Sequence, residues 1–327
     1  MYSVRFHQYG GPEVLRLDTV PVPAATAGKV LIQVEAAGLN AADILERTGC
    51  YIESRPLPVP SGLEVAGTVV SIGDGVVGLE LGQQVMGFAR GSLSEFALTI
   101  PALLFPIPTG MSFNDAAALP LQGLTAYLAL TDAGKLGNGE SVLVQGAAGG
   151  VGLLAVQLAR VLGASKVVAT AASEDKRKLT SAFGSDLVFD YRDPGFADRV
   201  REDTAGLGVD VVLDGVGGEV IAKSLAVLAR RGRLVFYGQS SGATTSINPY
   251  QLVKPSHSIH GFSLQAYLSS SDQVREAMKH LSQLASSGQI RQIIGGIFAL
   301  KEYPAAFSAL EDRDVVGKIV VGVGQGT

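Results

Sequence analysis

Cysteine is nearly absent, Cys50 being the only one. No disulfide can form within the chain, and a reducing compartment is the expected setting. Of the chain's four histidines, His257 and His260 have helical i,i+3 spacing but no nearby third ligand of standard pattern, so no metal site is expected there. An excess of one charge is lacking too: 26 basic and 30 acidic residues leave a net charge of −4. Nucleic acid is therefore not an expected partner, since phosphate recognition wants a concentrated basic face. No apolar run reaches the roughly 18 residues of a membrane span. Met1–Gly11 carries no apolar signal core, and a cytoplasmic location is expected. Neither internal repeats nor low-complexity segments occur.

Glycine, by contrast, is abundant: 41 of 327 residues, against roughly 7% in average proteins. The glycines have no triplet period, which excludes collagen. Most follow short apolar runs, where glycine permits tight turns and close backbone approach. At this length two domains are expected.

Residues 1–119 are β-rich and punctuated. Val30–Ala36, Val65–Ile72 and Gln84–Phe88 read as strands, and Arg55–Pro60 as loop. The pattern changes near residue 120. Strands are predicted over Ser141–Gln145, Lys166–Thr170, Leu187–Tyr191, Val209–Asp214 and Arg233–Tyr237. Helices are predicted over Val151–Leu162, Asp175–Phe183 and Glu219–Ala229. Such alternation, with continuous Val/Leu runs, predicts a parallel sheet covered by helices on both faces. His260–Leu264 is a candidate sixth strand. A helix over Asp272–Ser287, a strand over Ile293–Phe298, a helix over Pro304–Leu310 and a strand over Lys318–Val323 complete the chain.

The strongest local signal is Ser141-Val-Leu-Val-Gln-Gly146-Ala-Ala148-Gly149-Gly150-Val151-Gly152, leading straight into a helix. A strand, a glycine turn and a helix N-terminus make an anion site, because free N–H groups and the helix dipole face the phosphate. The spacing departs from strict G-x-G-x-x-G, yet the βαβ context supports a dinucleotide. A ribose-binding acid normally follows about 20 residues on. Ser173 stands there instead, with Lys176 and Arg177 after it. A hydroxyl and cations suit a 2′-phosphate, and so NADP(H) over NAD(H). The bland alternative is a solvated helix face beside Glu174 and Asp175.

Several segments carry a family resemblance: Ala36-Ala-Gly-Leu-Asn40-Ala-Ala-Asp43, Pro60-Ser-Gly-Leu-Glu64-Val-Ala-Gly67, Ala116-Ala-Ala-Leu-Pro-Leu-Gln-Gly-Leu-Thr125-Ala126, the glycine turn, and Gly317-Lys318-Ile-Val-Val321. Over essentially its whole length the chain resembles the medium-chain dehydrogenase/reductase superfamily, in its zinc-free quinone oxidoreductase branch. The implied fold is α/β: a GroES-like β-rich catalytic domain (residues 1–120 and 265–327) and a Rossmann domain with a doubly wound parallel sheet (121–264). Zinc-dependent relatives carry Cys where this chain has Asn40, and Gly-His-Glu where it has Gly62-Leu63-Glu64. Structural zinc needs clustered cysteines that are missing here, so no metal is expected.

The resemblance implies Asn40, Tyr51 and Thr125 as catalytic residues. Cofactor contacts are expected at the turn residues Ala148–Gly152, at Ser173 and Lys176, at the strand-end residues Val216, Tyr237 and Gly238, and, from the resemblance, at Tyr191, Phe262, Ser263 and Lys318. Without Lewis-acid zinc, a conjugated acceptor fits best, since its delocalisation takes up the hydride's charge. The expected activity is hydride transfer from NADPH to a quinone or an α,β-unsaturated carbonyl, with the proton supplied by solvent or Tyr51. A free-standing enoyl-thioester reductase, with Lys254 as donor, and a non-catalytic NADPH-binding protein are the alternatives. Gly238-Gln-Ser240-Ser-Gly242 matches a hydrolase nucleophile elbow, but that motif demands an immediate helix, and Ala243–Pro249 is β-branched and ends in proline. Family members pair their Rossmann sheets edge to edge, so a homodimer through His260–Leu264 is expected.

Overall fold

A computed structural model describes residues 1–51 and 55–324. Strands apolar on both faces need cover on both faces, and the central runs of one six-stranded parallel sheet are of this kind. The six strands are β1 (Ser141–Val144), β2 (Lys166–Thr170), β3 (Leu187–Phe189), β4 (Val209–Asp214), β5 (Leu228–Phe236) and β6 (Ser258–Gly261). The order is β3-β2-β1-β4-β5-β6, and every pair is parallel. Val142, Leu143, Val144, Val211, Val212 and Leu213 in the central strands have no exposed surface. Helices Gly150–Val161, Glu174–Ala182, Phe196–Asp203 and Val220–Ala226 connect the strands. Just past the first, Gly163 at φ +87° takes the left-handed position that glycine supplies after a helix end. Strand order reverses between β1 and β4, which is where open α/β sheets bind ligands, at the strands' carboxyl ends.

Among the described residues Leu15–Thr19, Tyr2–Phe6 and Val59–Pro60 form a small three-stranded sheet, and the third sheet is mixed. It runs Ile294–Ala299, Lys318–Gly322, Val30–Leu39, Glu64–Ile72, Gln84–Phe88 and Leu104–Pro106, with Phe96–Thr99 also paired to Val30–Leu39. All its pairs are antiparallel except that of Ile294–Ala299 with Lys318–Gly322. Its register sets up a buried cluster: Ile319 faces Leu39, and Gly38 faces Glu64. Lys318, Asn40 and Glu64 are thereby brought side by side from separate strand ends.

The chain divides into two compact units, Met1–Leu121 with Gln292–Thr327, and Gln122–Arg291. Segment 265–291, read from the sequence as part of the β-rich domain, therefore groups with the parallel sheet. Gln157 pins its end: Nε2 donates to Arg291 O (3.1 Å) and Oε1 accepts Arg291 N–H (2.8 Å). Helix Ser271–Ser286 buries Val274, Met278 and Leu281 in this unit. Further boundaries differ from the sequence reading. The helix expected to reach Ala229 stops at Ala226, because β5 starts at Leu228, opposite Val209. The sixth strand is Ser258–Gly261, and Leu264 opens a short helix instead. Within Arg55–Pro60, Val59 and Pro60 pair with Tyr2–Phe6, an edge position where proline's missing N–H is harmless.

Candidate functional site

In the parallel-sheet unit the turn after β1 is shaped by close approach. A Cβ on Gly152 would sit 2.5 Å from Ala147 Cα and 2.7 Å from Gly146 O. One on Gly150 would overlap the side-chain amide of Gln122, itself buried. The 12-residue helix begins at Gly150 with Gly149 as its N-cap, no side chain capping it and no acid in its first turn. Its first N–H groups and positive dipole end are thus left for an anion. Ala148 is buried, Gly149 exposed and Val151 half-buried. This cradle fits the pyrophosphate of a dinucleotide.

At the end of β2 no acid is present, as expected. Ser173 is exposed and caps helix Glu174–Ala182, its Oγ accepting Lys176 N–H at 3.3 Å. Arg177 donates to Ala171 O and Ala172 O at 3.3 and 3.2 Å, and Arg192 donates to Ala172 O at 2.5 Å. Two guanidinium groups therefore converge beside Ser173. Asp190 holds both, and hydrogen bonds from Arg192 pull its carboxyl down to about 2. The Arg192 guanidinium lies 5.9 Å from the centre of the Tyr191 ring, and Lys223 donates to Tyr191 O at 2.7 Å. Arg192 and Lys223 escaped the sequence reading, which stopped at the adjacent Tyr191.

Beyond β4 and β5, Asp214 Oδ1 accepts Val216 N–H and Gly217 N–H at 2.8 and 2.9 Å. Tyr237 N–H donates to Asp214 O at 3.0 Å. The Tyr237 ring lies where a Cβ on Gly215 would be, 2.6 Å from Cε2. Burial, and then the Asp214 charge, push the Tyr237 phenol up. The structure thus brings Val216, Tyr237 and Gly238 together. Phe262 N–H donates to Phe236 O at 2.8 Å, its ring stacks on Tyr267, and Ser263 precedes the short helix Leu264–Tyr267. Thr125 is buried in helix Pro120–Leu128. Residues 240–248 contain no helix, so the nucleophile-elbow geometry is not formed.

The β-rich unit holds a buried charge cluster. Lys318 Nζ donates to Glu64 Oε2 at 2.5 Å and to Asn40 Oδ1 at 2.6 Å. Asn40 Nδ2 donates to Gly38 O (3.1 Å) and Glu64 Oε2 (3.2 Å), while Glu64 Oε1 accepts Leu121 N–H at 2.7 Å. Exposure is 5% for Asn40, 0% for Glu64 and 1% for Lys318. Both amide hydrogens of Asn40 are therefore spent, and its side chain keeps only acceptor capacity. Lys318, grouped with the cofactor contacts from the sequence, has its ammonium enclosed here. Gly38 allows the approach, since a Cβ there would lie 2.6 Å from Lys318 Cε and Glu64 Oε2. A lysine opening an apolar strand signals a buried partner but not which residue supplies it.

Asp43, one turn along, accepts Asn40 N–H at 2.7 Å, while its Oδ1 has no partner among the described residues. Burial pushes its carboxyl up to about 7; Asn40 N–H and Lys318 oppose the shift, and Glu46 and Glu64 reinforce it. In an unfolded chain it titrates near 3.9. The folded state therefore binds the extra proton between about pH 4 and pH 7, so stability falls as pH rises through that window and levels off above it. Asp43→Asn is expected to remove this slope in a series of urea midpoints from pH 4.5 to 8. An unchanged slope would contradict the assignment. Half-buried Tyr51 is raised by burial and by the Asp43 and Glu46 charges, against Arg90, so its phenol stays protonated and can donate but not abstract a proton at neutral pH. Residues 52–54 lie outside the described ones.

Among the described residues no three His, Cys, Asp or Glu side chains converge to hold a metal. His257 Nε2 lies 3.0 Å from Ala229 O, and His260 sits on β6 opposite Val235. No helix of the described residues is long and apolar enough to cross a membrane.

Comparison with known proteins matches residues 26–109 to the alcohol dehydrogenase GroES-like domain and residues 150–283 to the zinc-binding dehydrogenase family. Rat quinone oxidoreductase is 34% identical, covering 97% of this chain and 94% of the relative. A mycobacterial protein in complex with NADPH superposes with a TM-score of 0.94 at 35% identity, covering 98% of this chain and 100% of that one. Escherichia coli quinone oxidoreductase complexed with NADPH gives 0.93 at 33% identity, with the same coverage of 98% and 100%.

Proposed function

This chain belongs to the medium-chain dehydrogenase/reductase superfamily, in its quinone oxidoreductase branch, and from that premise we propose that it is an NADPH-dependent, zinc-independent reductase of quinones or α,β-unsaturated carbonyls. The observation that carries the cofactor reading is the uncapped helix start at Gly149–Gly152, with the Arg177 and Arg192 guanidinium groups, shared with Asp190, converging at the end of β2. When bound, NADPH supplies the hydride. The chain's residues bind, orient and protonate. The helix N-terminus takes the pyrophosphate, while Ser173, Lys176 and Tyr191 take the 2′-phosphate end. Asn40, Tyr51 and Thr125 are the catalytic residues of this proposal, and Lys318 is the positioning residue that fixes the Asn40 amide. Tyr51 is the proton donor. Zinc independence is supported by Asn40 and Leu63 at the positions of zinc ligands, and by the Lys318 ammonium that already neutralises Glu64.

Lys176→Ala is expected to lower kcat/KM for NADPH about 10-fold, with little effect on NADH, because charge-assisted bonds to phosphate contribute roughly 1.5–3 kcal/mol. Equal losses with both cofactors would contradict the assignment. A cytoplasmic homodimer, paired through β6, belongs to the same proposal. Light scattering is expected to give twice the 33.8 kDa chain mass, and a monomer would count against it.

A further inference from the structure

Four buried polar side chains cross the carboxyl ends of three adjacent strands in the parallel-sheet unit. Gly146 N–H donates to Thr170 Oγ1 at 3.2 Å, and the Thr170 hydroxyl donates to Gln145 Oε1 at 2.6 Å. Gln145 Nε2 donates to Ser224 Oγ at 3.1 Å, and the Ser224 hydroxyl donates to Asp214 Oδ2 at 3.1 Å. Asp214 Oδ1 then accepts Val216 N–H and Gly217 N–H. Thr170, Ser224 and Asp214 have no exposed surface, and Gln145 has 1%. From the glycine turn every donor points toward the Asp214 carboxylate, which also accepts the backbone N–H groups of a second loop from the other side.

Apolar side chains would fill this core without such a chain. Hydrogen bonds in a low-dielectric interior polarise one another, and a break anywhere leaves a buried group unpaired. Both ends terminate on glycine amides in left-handed backbone, Gly146 at φ +62° and Gly217 at φ +73°, where the chain's direction is least fixed by its own sterics. We propose that Thr170, Gln145, Ser224 and Asp214 act as one relay that locks the glycine turn to the Val216–Gly217 loop, making them positioning residues for the pyrophosphate of the dinucleotide. The ligand in this statement rests on the NADPH reading, whereas the coupling of the two loops does not.

Amide hydrogen exchange on the full chain without cofactor tests the coupling. Ser224→Ala is expected to speed exchange about 10-fold in residues 144–150, and Thr170→Val to do the same in residues 215–218. Neither substituted side chain bonds the backbone of the segment it is expected to loosen. Thr170→Ser keeps the hydroxyl and is expected to fold and to restore protection. If each substitution speeds only its own neighbourhood, the relay is overturned. NADPH titration then tests the ligand. Each single variant is expected to raise the Kd about 10-fold, and the double variant no further, because members of one network are non-additive. Adenosine 2′-phosphate, which lacks the pyrophosphate, is expected to bind all variants alike. Parallel loss of both ligands, or additive losses, would contradict the positioning role. If the unaltered protein fails to bind NADPH, the cofactor reading falls, while the exchange result still decides the relay.

Discussion

Gly152→Ala is expected to weaken NADPH binding about 100-fold while leaving the fold intact, since a misplacement of roughly 1 Å can cost that much. The added Cβ would meet Ala147 Cα and Gly146 O, both backbone, at 2.5 and 2.7 Å. No side-chain rotation relieves that contact, so the turn must shift away from the helix start. Alanine itself is a better helix former than glycine by up to about 1 kcal/mol, which offsets part of the strain and favours a folded variant. Fluorescence titration with NADPH, paired with a thermal melt, measures both sides. An unchanged affinity would mean that the turn is not the pyrophosphate site.

The second large effect concerns stability. Lys318→Met removes the ammonium from Glu64 and Asn40 while Glu64 stays fully buried. Stripping one partner from a buried ion pair typically costs about 3–5 kcal/mol, because the remaining charge is uncompensated. The double variant Glu64→Gln/Lys318→Met is expected to recover most of that loss, since no charge is left stranded. Activity is expected to stay low in the double variant, because Asn40 has lost the donor that fixes its Oδ1. Urea unfolding of the three proteins separates the outcomes. Full activity in a stable double variant would show that Lys318 serves only the fold.

The parallel sheet was legible because Val142–Val144 and Val211–Leu213 are continuous apolar runs separated by helical patterns. The glycine turn was legible because Gly146–Gly152 follows a strand and opens a helix. What escaped depends on register and on distant pairing. Lys318 reads as the first residue of an apolar strand, and only the pairing of Ile319 with Leu39 puts it against Asn40. Arg192 sits one residue beyond Tyr191, on a loop whose path back to Ala172 no local pattern encodes. The Thr170–Gln145–Ser224–Asp214 chain joins residues up to 79 positions apart, each unremarkable alone at a strand end or on a helix. Segment 265–291 was misassigned because a helix carries no mark of the unit it packs on. Its link to Gln157 spans 134 positions.

The most direct test of the account is steady-state oxidation of NADPH by metal-depleted protein with a 1,4-quinone. 2-Alkenals, enoyl thioesters and ethanol serve as parallel acceptor and donor controls, and NADH as the parallel cofactor. The expected result is rapid turnover with the quinone or the alkenal, preference for NADPH, and no dependence on added zinc. Tight NADPH binding without turnover on any acceptor, or activity confined to zinc-dependent alcohol oxidation, would contradict it.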